Sequence, residues 1–414
     1  MIQTQDFTKG VIWKQLLFFF FPILIGSFFQ QLYNTVDTII VGQAVGTSAL
    51  AAVGSTGNLT NLIVNFYVGL STGASVVIAQ YYGAQNNKKI HQAVHTSYIL
   101  AIVSGILMML FGLFFSYQCL DAIGTPHDIL NDATLYMQLY FLCMIPGAIY
   151  NIGAGILRAV GDSKRPLYYL IVCSIVNVVF DFIFVVIFHQ GIAGAAIATV
   201  IAQSVCAILV TIQLMRTNEV YKLTLSKMKF HLPVLKKIIM IGAPAGIQST
   251  MYSISNIVLQ SHINAFGTQT IASWSVYVKI DALFWMMIAA IGAAITTFAG
   301  QNYGAHLHDR IKKGTRTALA MAFVMTISIS TILCLTGSYI TRLFSSDPHI
   351  IEECYSLMLF LMPFYFLYCC VEIFSETMRG CGESIKPMIL VCLGICVLRI
   401  AWLTFISPHY PTIK

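Results

Sequence analysis

The chain alternates between long, continuous apolar runs and short polar breaks. Within a run the apolar residues do not alternate one by one, so a half-buried strand of period two does not fit them. A helix crosses a bilayer with about 20 apolar residues. Eleven runs meet that length: about 13–41, 50–80, 93–117, 134–157, 166–189 and 191–215 in the first half, and about 238–264, 270–299, 317–341, 353–378 and 387–407 in the second. The pattern predicts an all-α polytopic membrane protein. A transmembrane β-barrel, whose strands alternate apolar and polar residues, is excluded on the same ground.

Composition strengthens this reading. Of 414 residues 57% are hydrophobic, 12% aromatic and 9% charged, and the mean hydropathy is +0.79. Soluble domains carry about 25% charged residues, so the soluble enzyme classes are excluded. A net charge of +7 would suit nucleic acid, but the 23 Lys and Arg residues sit in short clusters between the apolar runs. They carry topology, and no nucleic-acid partner is expected. Most of the eleven cysteines, including Cys143, Cys173, Cys206, Cys334, Cys369, Cys370 and Cys392, lie within apolar runs. There they act as small hydrophobes, and no disulfide framework is expected. Lys9 and Lys14 precede the first run as in a signal peptide, yet no small-residue cleavage site follows before Asp37, so this run reads as a retained span.

With a cytoplasmic amino terminus, 19 of the 23 basic residues fall on the inner side, only Arg342 and Lys414 fall outside, and Lys279 and Arg399 lie within spans. The positive-inside rule then fixes the orientation in the plasma (inner) membrane. The two halves also repeat: Gly46-Thr47 matches Gly267-Thr268, Gly83-Ala84 matches Gly304-Ala305, and Arg158, Gly161 and Pro166 match Arg379, Gly382 and Pro387, each pair 221 residues apart. Both copies start on the same side, which makes the repeat parallel. The expected architecture is two six-helix lobes, residues 1–215 and 238–414, joined by a cytoplasmic linker at 216–237. Lys414 maps back to Ala193, so eleven spans are present and a twelfth is missing, through truncation or through tolerance of an incomplete second lobe.

Ionisable groups at membrane depth are costly and functional by default. Gln30, Tyr33, Asn34 and Asp37 follow i, i+3, i+4, i+7 and share one face of the first span. Asn177 and Asp181 stand i, i+4 on the fifth span. Thr199 lies nine residues past the turn near Gln190 and Asp181 nine before it, which puts both about 13 Å below that turn. Oxygen ligands of this kind suit a hard cation, and a carboxylate pair in low dielectric suits a proton. The 221 offset gives Val258 for Asp37 and Trp402 for Asp181, so these acids belong to one lobe only. Gln248, Tyr252, Ser255 and Asn256 form a further polar face on the seventh span, open to cavity lining or to interhelical hydrogen bonding. Glu376 is explained by Arg379 at i+3, which leaves Glu372 as the more interesting acid. Lys279 and Asp281 do not face each other, Arg399 is placed to snorkel, and no metal site other than for Na⁺ is expected.

Several ordered segments resemble the MATE (multidrug and toxic compound extrusion) family. They are Gln31-Leu32-Tyr33-Asn34-Thr35-Val36-Asp37, Ala79-Gln80-Tyr81-Tyr82-Gly83-Ala84 and Leu157-Arg158-Ala159-Val160-Gly161-Asp162-Ser163-Lys164-Arg165-Pro166, with second-half copies around Gln301-Asn302-Tyr303-Gly304-Ala305 and Met378-Arg379-Gly380-Cys381-Gly382. The resemblance implies a twelve-helix, two-lobe antiporter that exports organic, often cationic compounds in exchange for Na⁺ or H⁺, without a cofactor. It places Asp37, Asn177, Asp181 and Thr199 in the cation-coupling site. It places Gln30, Tyr33 and Asn151 in the substrate cavity of the first lobe.

The expected function is ion-coupled multidrug efflux by alternating access, in a monomer whose partners are small organic substrates and membrane lipids. Asn34, Gln248, Tyr252 and Glu372 are further cavity candidates. The principal rival is a lipid or lipid-linked saccharide flippase, for which an Arg- or Lys-lined cavity is expected, whereas these candidates are acids and amides. A membrane receptor or scaffold without transport is the second rival, and an enzyme lacks the nucleophile, base or metal cluster it would need.

Overall fold

The computed structural model describes residues 5–409. Lys414, the last basic residue of the expected outer side, lies outside the described residues. In a bilayer every backbone N–H and C=O must be satisfied within the segment, and the apolar runs accordingly form helices. The first half comprises α1 (Ile12–Ala44), α2 (Thr47–Gly83), α3 (Asn87–Ala122), α4 (His127–Phe141), α5 (Met144–Ala159), α6 (Lys164–Asp181) and α7 (Gly191–Arg216). The second comprises α8 (Leu232–Asn264), α9 (Thr268–Gly304), α10 (His308–Arg342), α11 (Pro348–Leu361), α12 (Tyr365–Gly380) and α13 (Ile385–Val391), the last continuing through π and α turns to Ile406. Among the described residues there is no strand.

Two expected spans are broken. Between α4 and α5 the axis bends by 44°, because Pro146 in the first turn of α5 has no N–H to offer the Leu142 carbonyl. A single 3₁₀ turn, Met362–Phe364, with Pro363 at its centre, joins α11 to α12. Among the described residues, nine helical stretches are long and apolar enough to cross a membrane, and ten when α4 and α5 count as one span. The sequence pattern gives eleven. The difference is α8, 33 residues long, whose face of Gln248, Tyr252, Ser255 and Asn256 dilutes its apolar content. The linker segment 216–237 includes the start of α8, with Lys236 and Lys237. It is docked, with Tyr221 and Leu223 buried and the Thr224 N–H donating to His95 Nε2 of α3 at 3.0 Å.

The repeat is written into the backbone. Left-handed φ values recur at Gly46 and Gly267, at Gln85 and His306, and at Gly161 (87°) and Gly382 (94°), each pair 221 apart. At Gly161 and Gly382 the left-handed residue closes the helix in a Schellman turn. The Asp162 N–H reaches the Leu157 carbonyl at 2.9 Å, and the Glu383 N–H reaches Met378 at 3.0 Å. These turns hold Arg158 and Arg379 at equivalent places in the last turns of α5 and α12.

The two cores exchange their leading segments. Phe7, Leu16, Phe19 and Phe20, at and before the start of α1, pack with Phe284, Ile291 and Phe298 of the second half. Reciprocally, Val234, Ile238 and Ile241 of α8 join the core of the first half. The amino-terminal segment, the linker and the turns after α2, α5, α9 and α12 gather at one end, hereafter the basic end. There the halves touch backbone to backbone: a Cβ on Gly83 would lie 1.8 Å from the Gln301 carbonyl oxygen, and one on Gly304 would lie 1.8 Å from that of Gln80. Gln80 Nε2 donates to the Gly380 carbonyl at 2.9 Å and Gln301 Nε2 to the Ala159 carbonyl at 2.8 Å. Both contacts obey the 221 offset, so this seal is two-fold symmetric.

Candidate transport and coupling sites

Within the first lobe, α1, α2, α4, α5, α6 and α7 enclose a cavity of about 250 Å³. Gln30, Tyr33 and Asn34 line it from α1 and Asn151 lines it from α5, so four of the expected cavity residues come together. The Asn151 amide donates to the Gly147 carbonyl at 2.9 Å, which fixes its rotamer and leaves its side-chain oxygen for the cavity. Two further lining residues were missed in the sequence. Gln203 of α7 has a buried amide oxygen without a hydrogen-bond partner. Arg158, from the last turn of α5, is the one charged side chain among the described residues lining this cavity.

The expected coupling residues form a separate group beside it. Asn177 and Asp181 are 1% and 0% exposed, and the helix passes directly from Asp181 into a π segment, Phe182–Ile187. Asp37 and Asp181 are near enough for their charges to interact, and Tyr136 of α4 lies within reach of both. Val41, Val185, Ile192, Ala195 and Ala196 supply apolar walls around Tyr136. One Asp37 oxygen, both Asp181 oxygens and both polar atoms of the Asn177 amide are buried without a hydrogen-bond partner. Unpaired buried oxygens of this kind are expensive in a protein interior, and two carboxylates with an amide fit a hard monovalent cation or a shared proton. Thr199 stands on α7 with its hydroxyl donating to the Ala195 carbonyl at 3.1 Å, which leaves the oxygen lone pairs free to accept or to ligate.

Gln248, Tyr252 and Glu372 lie apart from the first-lobe cavity, in two hydrogen-bonded groups of the second lobe. The hydroxyls of Tyr252 and Tyr368 are 3.2 Å apart, and Tyr368 donates to Glu372 at 3.3 Å. Arg379 pairs with Glu376 and donates to the Gln248 amide oxygen at 2.9 Å, while Thr296 donates to the other Glu376 oxygen. Arg399 does not snorkel: it donates to Ser255 and Asn256, each at 2.7 Å. The polar face of α8 is thereby consumed by interhelical bonds. Asp281 likewise accepts from Trp285 at 2.7 Å and from Tyr365.

Comparison with known proteins gives one consistent answer. The MatE family model matches the chain in two stretches, residues 22–183 and 244–403, and these two stretches reproduce the internal repeat. "Probable multidrug resistance protein YoeA" of Bacillus subtilis is 26% identical, with 99% of this chain and 90% of that protein covered. The multidrug export protein MepA of Staphylococcus aureus (strain NCTC 8325) is 21% identical over 94% of this chain and 86% of its own length. Among solved structures, an outward-facing MATE transporter of the MOP superfamily superimposes with a TM-score of 0.92 at 25% identity, covering 99% of this chain and 92% of that one. A MOP superfamily transporter from Pyrococcus furiosus, described as having a binding pocket of reverse polarity that suggests a different function, gives 0.91 at 26% identity with the same coverage. The helical repeat, the membrane-spanning composition and these matches agree, and the chain belongs to the MATE family of multidrug efflux transporters.

Proposed function

We propose that this protein exports amphiphilic organic compounds, organic cations among them, in exchange for Na⁺ or H⁺. It would do so by alternating access of two lobes, residues 1–215 and 238–414, about the linker at 216–237. In this reading it sits in the plasma membrane with the basic end facing the cytoplasm. The observation that carries the proposal is the set of unpartnered buried oxygens on Asp37, Asn177 and Asp181, confined to one lobe of a repeat protein. A scaffold role would be shared by both lobes, but the second has Val258 and Trp402 at the positions of the two acids. Loading of a cation or proton there drives the cycle only if it binds the two lobe arrangements with different affinity. Thr199, whose oxygen keeps its lone pairs while the hydroxyl donates to Ala195, completes the set in this reading.

The test is export of rhodamine 6G from proteoliposomes under an imposed Na⁺ or pH gradient. Flux that follows one gradient and falls at least tenfold in Asp37→Asn and Asp181→Asn, with normal protein incorporation, supports the reading and names the ion. Flux unchanged in both variants overturns the coupling site. A second reading, translocation of an anionic lipid, is favoured by Arg158 in the cavity. It requires lipid movement between leaflets that is insensitive to the Asp37→Asn substitution.

A further inference from the structure

The 221 offset exposes an electrostatic difference between equivalent arginines. Arg379 in the second lobe is neutralised by Glu376 and bonded to Gln248. The matching first-lobe positions are Gly155 and Ser27. No acid fits at residue 155, because a Cβ there would already stand 2.8 Å from Ser71 Oγ. The second lobe reverses this packing: Gly292, the counterpart of Ser71, makes room for Glu372 and Glu376, whose nearest atoms would lie 2.9 and 3.2 Å from a Cβ at 292. The same helix contact thus carries its side chain on α2 in one lobe and on α12 in the other. Arg158 is left without a carboxylate within ion-pair distance among the described residues, and it lines the cavity with Ser27, Ser163 and Gln203.

An arginine cannot shed its proton, and a charge drawn partly out of water without a partner is costly. The second lobe offsets that cost with a fixed counter-ion, and the first lobe leaves it to whatever enters the cavity. The planar guanidinium presents paired N–H donors matched to carboxylate and phosphate oxygens. We infer that Arg158 is the floor of an anion subsite in the first-lobe cavity, which takes the acidic group, carboxylate or phosphate, of an amphiphilic substrate. At about 250 Å³ the cavity is slightly below the range of about 300–1,000 Å³ that holds whole drug-sized ligands, so the acid-bearing end enters first. This inference rests on the proposed substrate role of the cavity and is independent of the coupling site.

The test is equilibrium binding by fluorescence anisotropy to the purified full chain in lipid nanodiscs, with no ion gradient. Rhodamine 110 and rhodamine 123 share a xanthene and differ in a carboxylate against its methyl ester. Wild-type protein is expected to bind rhodamine 110 about tenfold tighter, the size of effect that a charge-assisted hydrogen bond supplies. Arg158→Gln should abolish that preference and Arg158→Lys should keep part of it. Equal affinities in the wild type, a readout that needs no variant, overturn the subsite, as does a preference that survives in Arg158→Gln. Displacement of rhodamine 110 by dioctanoyl phosphatidate ahead of benzoate assigns the acid to a lipid headgroup, and the reverse order assigns it to a drug carboxylate. Displacement by neither overturns the proposal. Because no gradient is imposed, a failed export assay and a failed binding assay remain separate results.

Discussion

The two lobes descend from one pattern yet spend their polar residues differently. The second lobe pairs its polar side chains with one another in two groups, Arg379 with Glu376 and Gln248 and Glu376 with Thr296, and Tyr368 with Tyr252 and Glu372. The first lobe leaves Arg158 and the Gln203 oxygen toward a cavity, and leaves Asp37, Asn177 and Asp181 unpaired beside it. A satisfied buried network rigidifies, whereas an unsatisfied one carries a cost that a ligand relieves. On the proposed function, the working chemistry falls to the first lobe and a supporting role to the second. Both lobes share the symmetric seal at the basic end, which any alternating-access cycle must open.

The largest effect is expected where the lobes touch. Gly83→Val and Gly304→Val each push a branched side chain into a carbonyl that already stands 1.8 Å from the ideal Cβ position. Closure of the basic end should fail in either variant, and rhodamine 6G export should fall more than tenfold. Gly394→Ala, at a site with nothing within 4 Å, is the control that should export normally. If one glycine variant is inactive and the other normal, the two-fold symmetry of the seal does not extend to its function.

The next contrast concerns the arginines. Glu376→Gln strands a buried Arg379, and breaking a buried pair in this way costs about 3–5 kcal/mol. Arg158→Gln removes a charge that has no fixed partner, and its melting temperature should stay at or above that of the wild type. Unfolding curves of the two variants in mixed micelles decide the matter. Equal destabilisation would mean that Arg158 is a structural residue after all.

A smaller effect separates the two glutamines of the seal. Interhelical hydrogen bonds in membranes average about 0.6 kcal/mol, with a maximum of about 1.7. Gln80 makes one such bond. Gln301 donates to Ala159 and also accepts the Phe7 N–H at 3.0 Å. Gln301→Ala should therefore cost about twice as much stability as Gln80→Ala on that per-bond figure. The amino-terminal segment should also loosen in Gln301→Ala alone, read as faster proteolysis near Phe7.

Much of this fold was legible in the sequence because membrane helices must satisfy their backbones internally, which makes apolar run length a direct signal. The repeat was legible because the Gly161 and Gly382 turns demand residues that tolerate a left-handed φ. Periodicity also placed Gln30, Tyr33 and Asn34 on one face, and the cavity uses that face. Partners were not legible, since helical spacing states which residues share a face and not what crosses over to meet it. Arg158 read as a topology signal because positive charges cluster at the inner side of any such protein. Only the three-dimensional contact of Gly155 with Ser71 shows that its counter-ion is missing. The same limit explains Gln248 and Glu372, whose partners come from helices more than a hundred residues away or from a neighbouring turn.

The smallest expected effect falls on Tyr252, and it tests the boundary between the two kinds of lobe. Its hydroxyl meets that of Tyr368 at 3.2 Å, one bond within a network that retains its other members. Tyr252→Phe should lower stability by about 0.6 kcal/mol, the average for such bonds, and leave rhodamine 6G export within twofold of the wild type. Here the sign of the result matters more than its size. An export loss of fivefold or more with an unchanged unfolding curve would place Tyr252 on the substrate path. The second lobe would then contribute a contact made only in a conformation other than this one, and its closed network would be one state of a working surface.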